Sequence, residues 1–158
     1  MINIQVTKAT EDDVPAIGKI AFQVAQIHAR QTQKEFKKPT LKSQTTYIRK
    51  SVSDATVLVL KATTDNIIAG YAVVYFNTYP TDYFQFSKRA FIGSIGVDKA
   101  YQRRGIGRAL LHAVEKEAKK RHISVVEVDY YTFNTVAENL YNRCGYQATK
   151  TYMRKVLR

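Results

Sequence analysis

The chain has 158 residues and a mass of 18.0 kDa, one domain's worth of material and enough to bury a core without disulfide or metal staples. At 45% hydrophobic and 24% charged, with 7 Gly and 3 Pro, it is neither disordered nor fibrous; the lone Cys144 excludes an internal disulfide, and His28, His112 and His122 lack metal-ligand spacing. The net charge is +12, with a basic excess concentrated at residues 99–121, so a polyanion or a phosphate-bearing small molecule is the expected partner.

The pattern predicts a single domain over residues 1–158. It opens with a strand over residues 2–8, where Ile2, Ile4 and Val6 share one face. Neither a signal peptide's basic flank nor an apolar run near the roughly 18 residues of a membrane span is present, which predicts a cytoplasmic protein without a membrane partner. Thr10 reads as an N-cap before Glu11-Asp12-Asp13, and Val14, Ile17, Ile20, Ala21, Val24 and Ile27 recur at helical spacing. After the polar stretch 31–39, a second helix is expected over 40–52. Strands over 56–62 and 67–76 flank Thr63-Thr64-Asp65-Asn66, a hairpin turn.

An aromatic segment, Tyr75 to Phe86, leads to a strand over 90–97, a glycine-containing turn and a basic helix over 105–121. A strand over 125–131, a helix over 135–143 ended by Gly145, and an extended segment from Tyr146 complete the chain. The predicted order is β-α-α-β-β-β-α-β-α-β, an α/β (mixed α+β) protein.

The informative sequence is Gln102-Arg103-Arg104-Gly105-Ile106-Gly107-Arg108, between a strand and a helix. The first N–H groups of a helix lack intrahelical acceptors and attract anions; glycines permit backbone approach, and the three arginines add charge. A P-loop needs Lys-Ser/Thr after its last glycine, whereas Arg108-Ala109 follow here; a dinucleotide fingerprint needs a glycine where Leu110 stands. Neither ATP nor NAD fits.

A second motif runs Asn134-Thr135-Val136-Ala137-Glu138-Asn139-Leu140-Tyr141-Asn142-Arg143-Cys144-Gly145-Tyr146. Together the two resemble the GNAT superfamily of acetyl-CoA-dependent N-acetyltransferases, namely its Gln/Arg-x-x-Gly-x-Gly/Ala motif and its Asn-x-x-Ala-x-x-Leu-Tyr-x-x-x-Gly-Phe motif, with Tyr146 replacing the phenylalanine. The resemblance implies the GNAT fold, a central mixed, largely antiparallel twisted sheet flanked by helices, with acetyl-CoA as co-substrate and no metal. It also implies that two neighbouring strands splay around the pantetheine arm. Ile95 and Val97 would hold that arm, with the Val97 N–H polarising the thioester carbonyl. Gln102, Arg103, Arg104, Gly105, Ile106, Gly107 and Arg108 would hold the diphosphate, and Asn134 and Ala137 would line the arm. Tyr141 matches the family's general acid toward the coenzyme A sulfur.

Acetyl transfer also needs a base, and the strand Ala90-Phe91-Ile92-Gly93-Ser94-Ile95-Gly96-Val97 carries no acid where many relatives place one. Asp129 stands at the offset from Tyr141 at which protein N-terminal acetyltransferases of the superfamily carry an acidic base. Glu127 shares its strand face, and Ser94 offers a relay through water. Tyr79 and Tyr83, with residues 31–39, are where the resemblance places acceptor specificity. His112 and His122 read as surface residues, and Cys144 as a small apolar one.

The expected function is direct transfer of an acetyl group to a primary amine of a small molecule or a peptide N-terminus, with a homodimer left open. Two alternatives stand beside it, a non-catalytic acyl-CoA-binding relative and a basic nucleic-acid-binding module. The second would interleave basic and aromatic residues on one face, whereas the charge here concentrates at one turn and helix.

Overall fold

The computed structural model describes residues 3–32 and 35–157. Five strands, β1 (Gln5–Lys8), β2 (Val57–Thr64), β3 (Ile67–Thr78), β4 (Lys88–Val97) and β5 (Val125–Val128), lie in the order β1-β2-β3-β4-β5. All neighbours are antiparallel except β4 and β5, as a mixed, largely antiparallel sheet requires. Helices α1 (Val14–Gln31) and α2 (Leu41–Ser53) precede β2; α3 (Ile106–Lys120) and α4 (Thr135–Arg143) follow β4 and β5.

Strand alternation divides the core into two layers. Leu58, Leu60, Ala72, Val74 and Ile92 pack with Ile106, Leu110, Leu111 and Val114 of α3. From the opposite face, Val59, Tyr71 and Val73 meet Ile17, Ile20 and Ala21 of α1 and Ile48 of α2. Because both faces are covered, β2 and β3 read as nearly continuous apolar runs. Each fully buried leucine or isoleucine contributes about 1.5–3 kcal/mol.

Local chemistry ends the elements. Asp65 (φ 49°) and Asn66 (φ 62°) both take left-handed backbone in the β2–β3 turn, the conformation a two-residue hairpin demands and these residue types tolerate. Asp13 Oδ2 accepts from Thr10 N–H at 2.7 Å, while its Oδ1 takes Lys61 Nζ at 2.7 Å, tying the start of α1 to β2. Burial alone would raise the Asp13 carboxyl; Lys61 and Thr10 outweigh it and hold the group below the usual carboxylate value.

Two expectations change. The strand over 125–131 stops at Val128, because residues beyond it have no ladder partner and turn toward α4. The closing strand from Tyr146 is not formed: residues 147–157 are exposed and pair with no strand. Ile2, expected in β1, lies outside the described residues. Among those described, no helix is long and apolar enough to cross a membrane.

Candidate active site

β4 is paired to β3 from Lys88 to Val97 but to β5 only over Arg89–Ile92. The strands part at Gly93, an extra residue on β4: Val74 opposes Ile92 and Val73 opposes Ser94. This bulge reverses the strand's facing. Before it Ala90 and Ile92 face α3; after it Ile95 and Val97 pack on that side, and Gly96 lies against Tyr71 and α1. A Cβ on Gly93 would stand 2.4 Å from the Tyr75 ring, so a larger residue here would push on β3.

Beyond the bulge, β4 has one edge without a strand beside it. Asp98 N–H donates to Ala69 O on β3 at 2.8 Å. Backbone groups alternate along a strand, so those of Gly96 also point to β3, and those of Ile95 and Val97 point to the open edge. Gln102 Nε2 approaches Val97 O there at 3.4 Å.

The open edge ends at the glycine turn. Asp98 Oδ1 accepts from Ala100 N–H at 2.8 Å, and its Oδ2 accepts from Gln23 of α1 at 3.1 Å. Arg103 (φ 63°) and Gly105 (φ 86°) are both left-handed, which curls the backbone before α3; at φ 86° only glycine is unstrained. Ile106 is buried and anchors the helix start, whose first N–H groups have no intrahelical acceptor. Arg104 lies over the Tyr101 ring at 5.2 Å, and Arg103 and Arg108 are exposed.

Gly107 has a packing role beside the one expected. A Cβ there would stand 2.9 Å from Leu140 Cδ2, so this glycine lets α4 approach α3, whereas Gly105 permits the turn.

The Leu140-Tyr141 to Gly145-Tyr146 motif is a Schellman closure of α4. Tyr146 N–H donates to Tyr141 O at 3.0 Å and Gly145 N–H to Asn142 O at 3.1 Å, with Gly145 at φ 85°. The closure sets Tyr141 between Tyr130 and Tyr146, at centroid distances of 5.8 and 5.9 Å. Burial, with the Asp129 carboxylate adding to it, pushes the Tyr141 phenol up to about 12, so it is fully protonated at neutral pH. Asn134 caps α4, its Oδ1 accepting from Ala137 N–H at 3.1 Å.

The candidate bases differ in their surroundings. Glu127 is paired with Arg89 at 2.5 Å, and Ser94 Oγ is bonded to the buried Tyr71 hydroxyl at 2.7 Å. Asp129 is exposed just past β5 and acts electrostatically on Tyr141. Cys144 is half-buried and its thiol is pushed up, first by burial, consistent with an inert residue. His112 and His122 are exposed. Arg89 lies over the Tyr79 and Phe84 rings at 4.9 and 4.7 Å, the two rings touching edge to face, so this part of the aromatic segment braces the start of β4.

A cluster that sequence reasoning missed adjoins the site. His28, Phe36, Tyr131 and Phe133 pack at centroid distances of 5.4 to 6.0 Å. Glu35 Oε1 accepts from Tyr131 at 2.8 Å and from Arg154 at 2.6 Å. Arg154, then Tyr131, holds the Glu35 carboxyl low, whereas burial pushes His28 down against the pull of Glu35. The available signal was Tyr130-Tyr131-x-Phe133 directly after a strand. Of the polar stretch 31–39, Gln33 and Lys34 lie outside the described residues.

Comparison with known proteins agrees with this geometry. Over 88 residues the chain is 34% identical to the L-ornithine N5-acetyltransferase NATA1 of Arabidopsis thaliana, covering 56% of this chain and 37% of that protein, so the match spans well under half of the relative's length. A variant of the BH1408 protein of Bacillus halodurans superposes with a TM-score of 0.89 at 23% identity, covering 97% of this chain and 99% of the other. The aminoglycoside N-acetyltransferase AAC(6')-Iy in complex with CoA gives a TM-score of 0.76 at 12% identity, over 100% and 97% of the two chains. The model of the acetyltransferase (GNAT) family matches residues 21–146. With that model matched across most of its length, the chain belongs to the GNAT family of acyltransferases.

Proposed function

We propose that this protein transfers an acetyl group from acetyl-CoA directly to a primary amine of a small molecule or a peptide N-terminus. The observation that carries the reading is the open edge of β4, whose Ile95 and Val97 backbone groups face a gap that ends at the glycine turn before α3. A pantetheine arm supplies the polar groups that such an edge lacks, and a diphosphate matches the helix start and Arg103, Arg104 and Arg108.

In the reaction the amine nitrogen bonds to the thioester carbon and the carbon–sulfur bond breaks. The Val97 N–H stabilises charge on the carbonyl oxygen. Tyr141 donates a proton to the leaving sulfur; the burial that raises its phenol also raises a thiol bound beside it, which keeps donor and acceptor matched. The proton lost by the acceptor goes to Asp129. Of the three candidates it is the one not already engaged by another side chain among the described residues. The acceptor side is assigned to the His28–Phe36–Tyr131–Phe133 cluster and the neighbouring Glu35–Arg154 pair.

Thiol release from acetyl-CoA, followed across ornithine, aminoglycosides and short peptides with free amino termini, tests the reading. Turnover of at least one amine, with the acetylated product found by mass spectrometry, supports it. Tight coenzyme A binding without turnover of any amine would instead favour an acyl-CoA-binding relative without catalysis.

A further inference from the structure

At the far end of α3 from the glycine turn, a second cleft of about 640 Å³ opens between the sheet and the last turns of the helix. The cleft begins on α3 at Ala113, seven residues past Ile106, roughly 10 Å along the helix at 1.5 Å per residue. Its floor is apolar, with Leu58 of β2, Phe76 of β3 and Ile123 after α3. Five cations stand on its walls: Lys8 of β1, Lys88 of β4, and Lys116, Lys120 and Arg121 at the end of α3.

Complementing the helix dipole accounts for Lys120 and Arg121. It does not account for Lys8 and Lys88, which come from other elements and add like charge to the lining. Glu117 is the lone carboxylate of the lining and is taken by Lys120 at 2.5 Å. Arg121 lies over the Phe76 ring at 4.5 Å. Among the described residues, Lys8, Lys88 and Lys116 have no carboxylate within 4.0 Å. An apolar floor under unpaired ammonium groups selects a ligand with an apolar body and an anionic head. A bare inorganic anion would leave the floor wet, and a cationic amine would be repelled.

We propose that this cleft is a second ligand site, separate from the acetyl-transfer cleft, that binds a small organic anion of the alkyl or aryl carboxylate or phosphate-ester class. The apolar body lies on Leu58, Phe76 and Ile123, and the cationic side chains of the lining supply the charge that meets the head group.

Calorimetry on the full chain with saturating coenzyme A present tests this, with octanoate and octyl phosphate as probes and 1-octanol and inorganic phosphate as controls. One-site binding of at least one probe is expected, at least tenfold tighter than either control. A Lys88→Glu/Lys116→Glu variant, altered at two exposed positions, should lose at least tenfold in probe affinity while its coenzyme A affinity stays within twofold. The Lys88→Gln/Lys116→Gln variant should fall between it and wild type. Which probe binds more tightly separates a carboxylate ligand from a phosphate ester. Equal binding of 1-octanol would reduce the cleft to apolar adsorption, and equal binding of inorganic phosphate to a basic patch. Absence of probe binding, its displacement by coenzyme A, or indifference to both charge variants would each overturn the site.

Discussion

β4 has two edges, and they are treated differently. Against β3 it is paired from Lys88 to Val97 on both sides of the Gly93 bulge; against β5 it is paired for four residues and then released. The first edge is structural: its backbone groups are satisfied by a neighbour buried on both faces. The second leaves backbone donors and acceptors beside a turn rich in unspent N–H groups, a costly arrangement unless a ligand or water fills it. The bulge at Gly93 and the short β5 thus leave one edge of β4 open while the other stays paired.

The contrast can be broken most severely at the turn. Gly107→Glu would drive a side chain into Leu140 and place a carboxylate beside the diphosphate position; coenzyme A affinity measured by calorimetry should drop at least about 100-fold. If the folded variant binds normally, the donor site lies elsewhere.

The next effect separates chemistry from binding on the open side. Tyr141→Phe keeps the ring between Tyr130 and Tyr146 and removes the proton, so kcat should fall by roughly ten- to a thousandfold, with coenzyme A affinity within about threefold. Full activity in the phenylalanine enzyme would leave Tyr141 as packing alone.

Asp129→Asn should be gentler and dependent on pH. An alkyl ammonium with a pKa near ~10.4 is about one part in a thousand free amine at neutral pH, so the base matters most there. The loss in kcat/KM should be several-fold larger at pH 7 than at pH 9. Equal losses at the two pH values would assign Asp129 to acceptor binding or strand support.

The smallest effect belongs to the paired side. Asp13→Asn removes the Lys61 ion pair on β2 and should cost about 1–3 kcal/mol of stability, with activity unchanged at temperatures where the fold persists. Because the native carboxyl is held below its unfolded value, its contribution is complete above that unfolded value, near ~4, and is lost as pH falls through the lower native value. The Tm gap between the two proteins should therefore close in acid. A gap that is constant down to pH 2 would show that packing, not charge, sets it.

Local chemistry made much of this legible. Helical periodicity defined α1 and α3. Left-handed Asp65-Asn66 and Gly145 carry residue types that such backbone requires, and the turn at residues 102–108 carries the glycines and arginines that an anion site uses. Those signals act within a few residues and survive without knowledge of the fold. What the tertiary structure decided acts across elements. The bulge at Gly93 is visible only against Val73 and Val74. Gly107 acquires its reason from Leu140 of another helix, and Asp129 stands out because Arg89 and Tyr71 engage its competitors. The segment after Tyr146 has no regular apolar–polar alternation, and the register it lacks is set by neighbours rather than by its own residues. The aromatic cluster joins His28 to Phe133 across the fold, and Lys8 and Lys88, on strands that are not neighbours, line one cleft only because α3 packs across the sheet. Contacts between residues far apart in the chain depend on how the layers pack, and no local propensity encodes that.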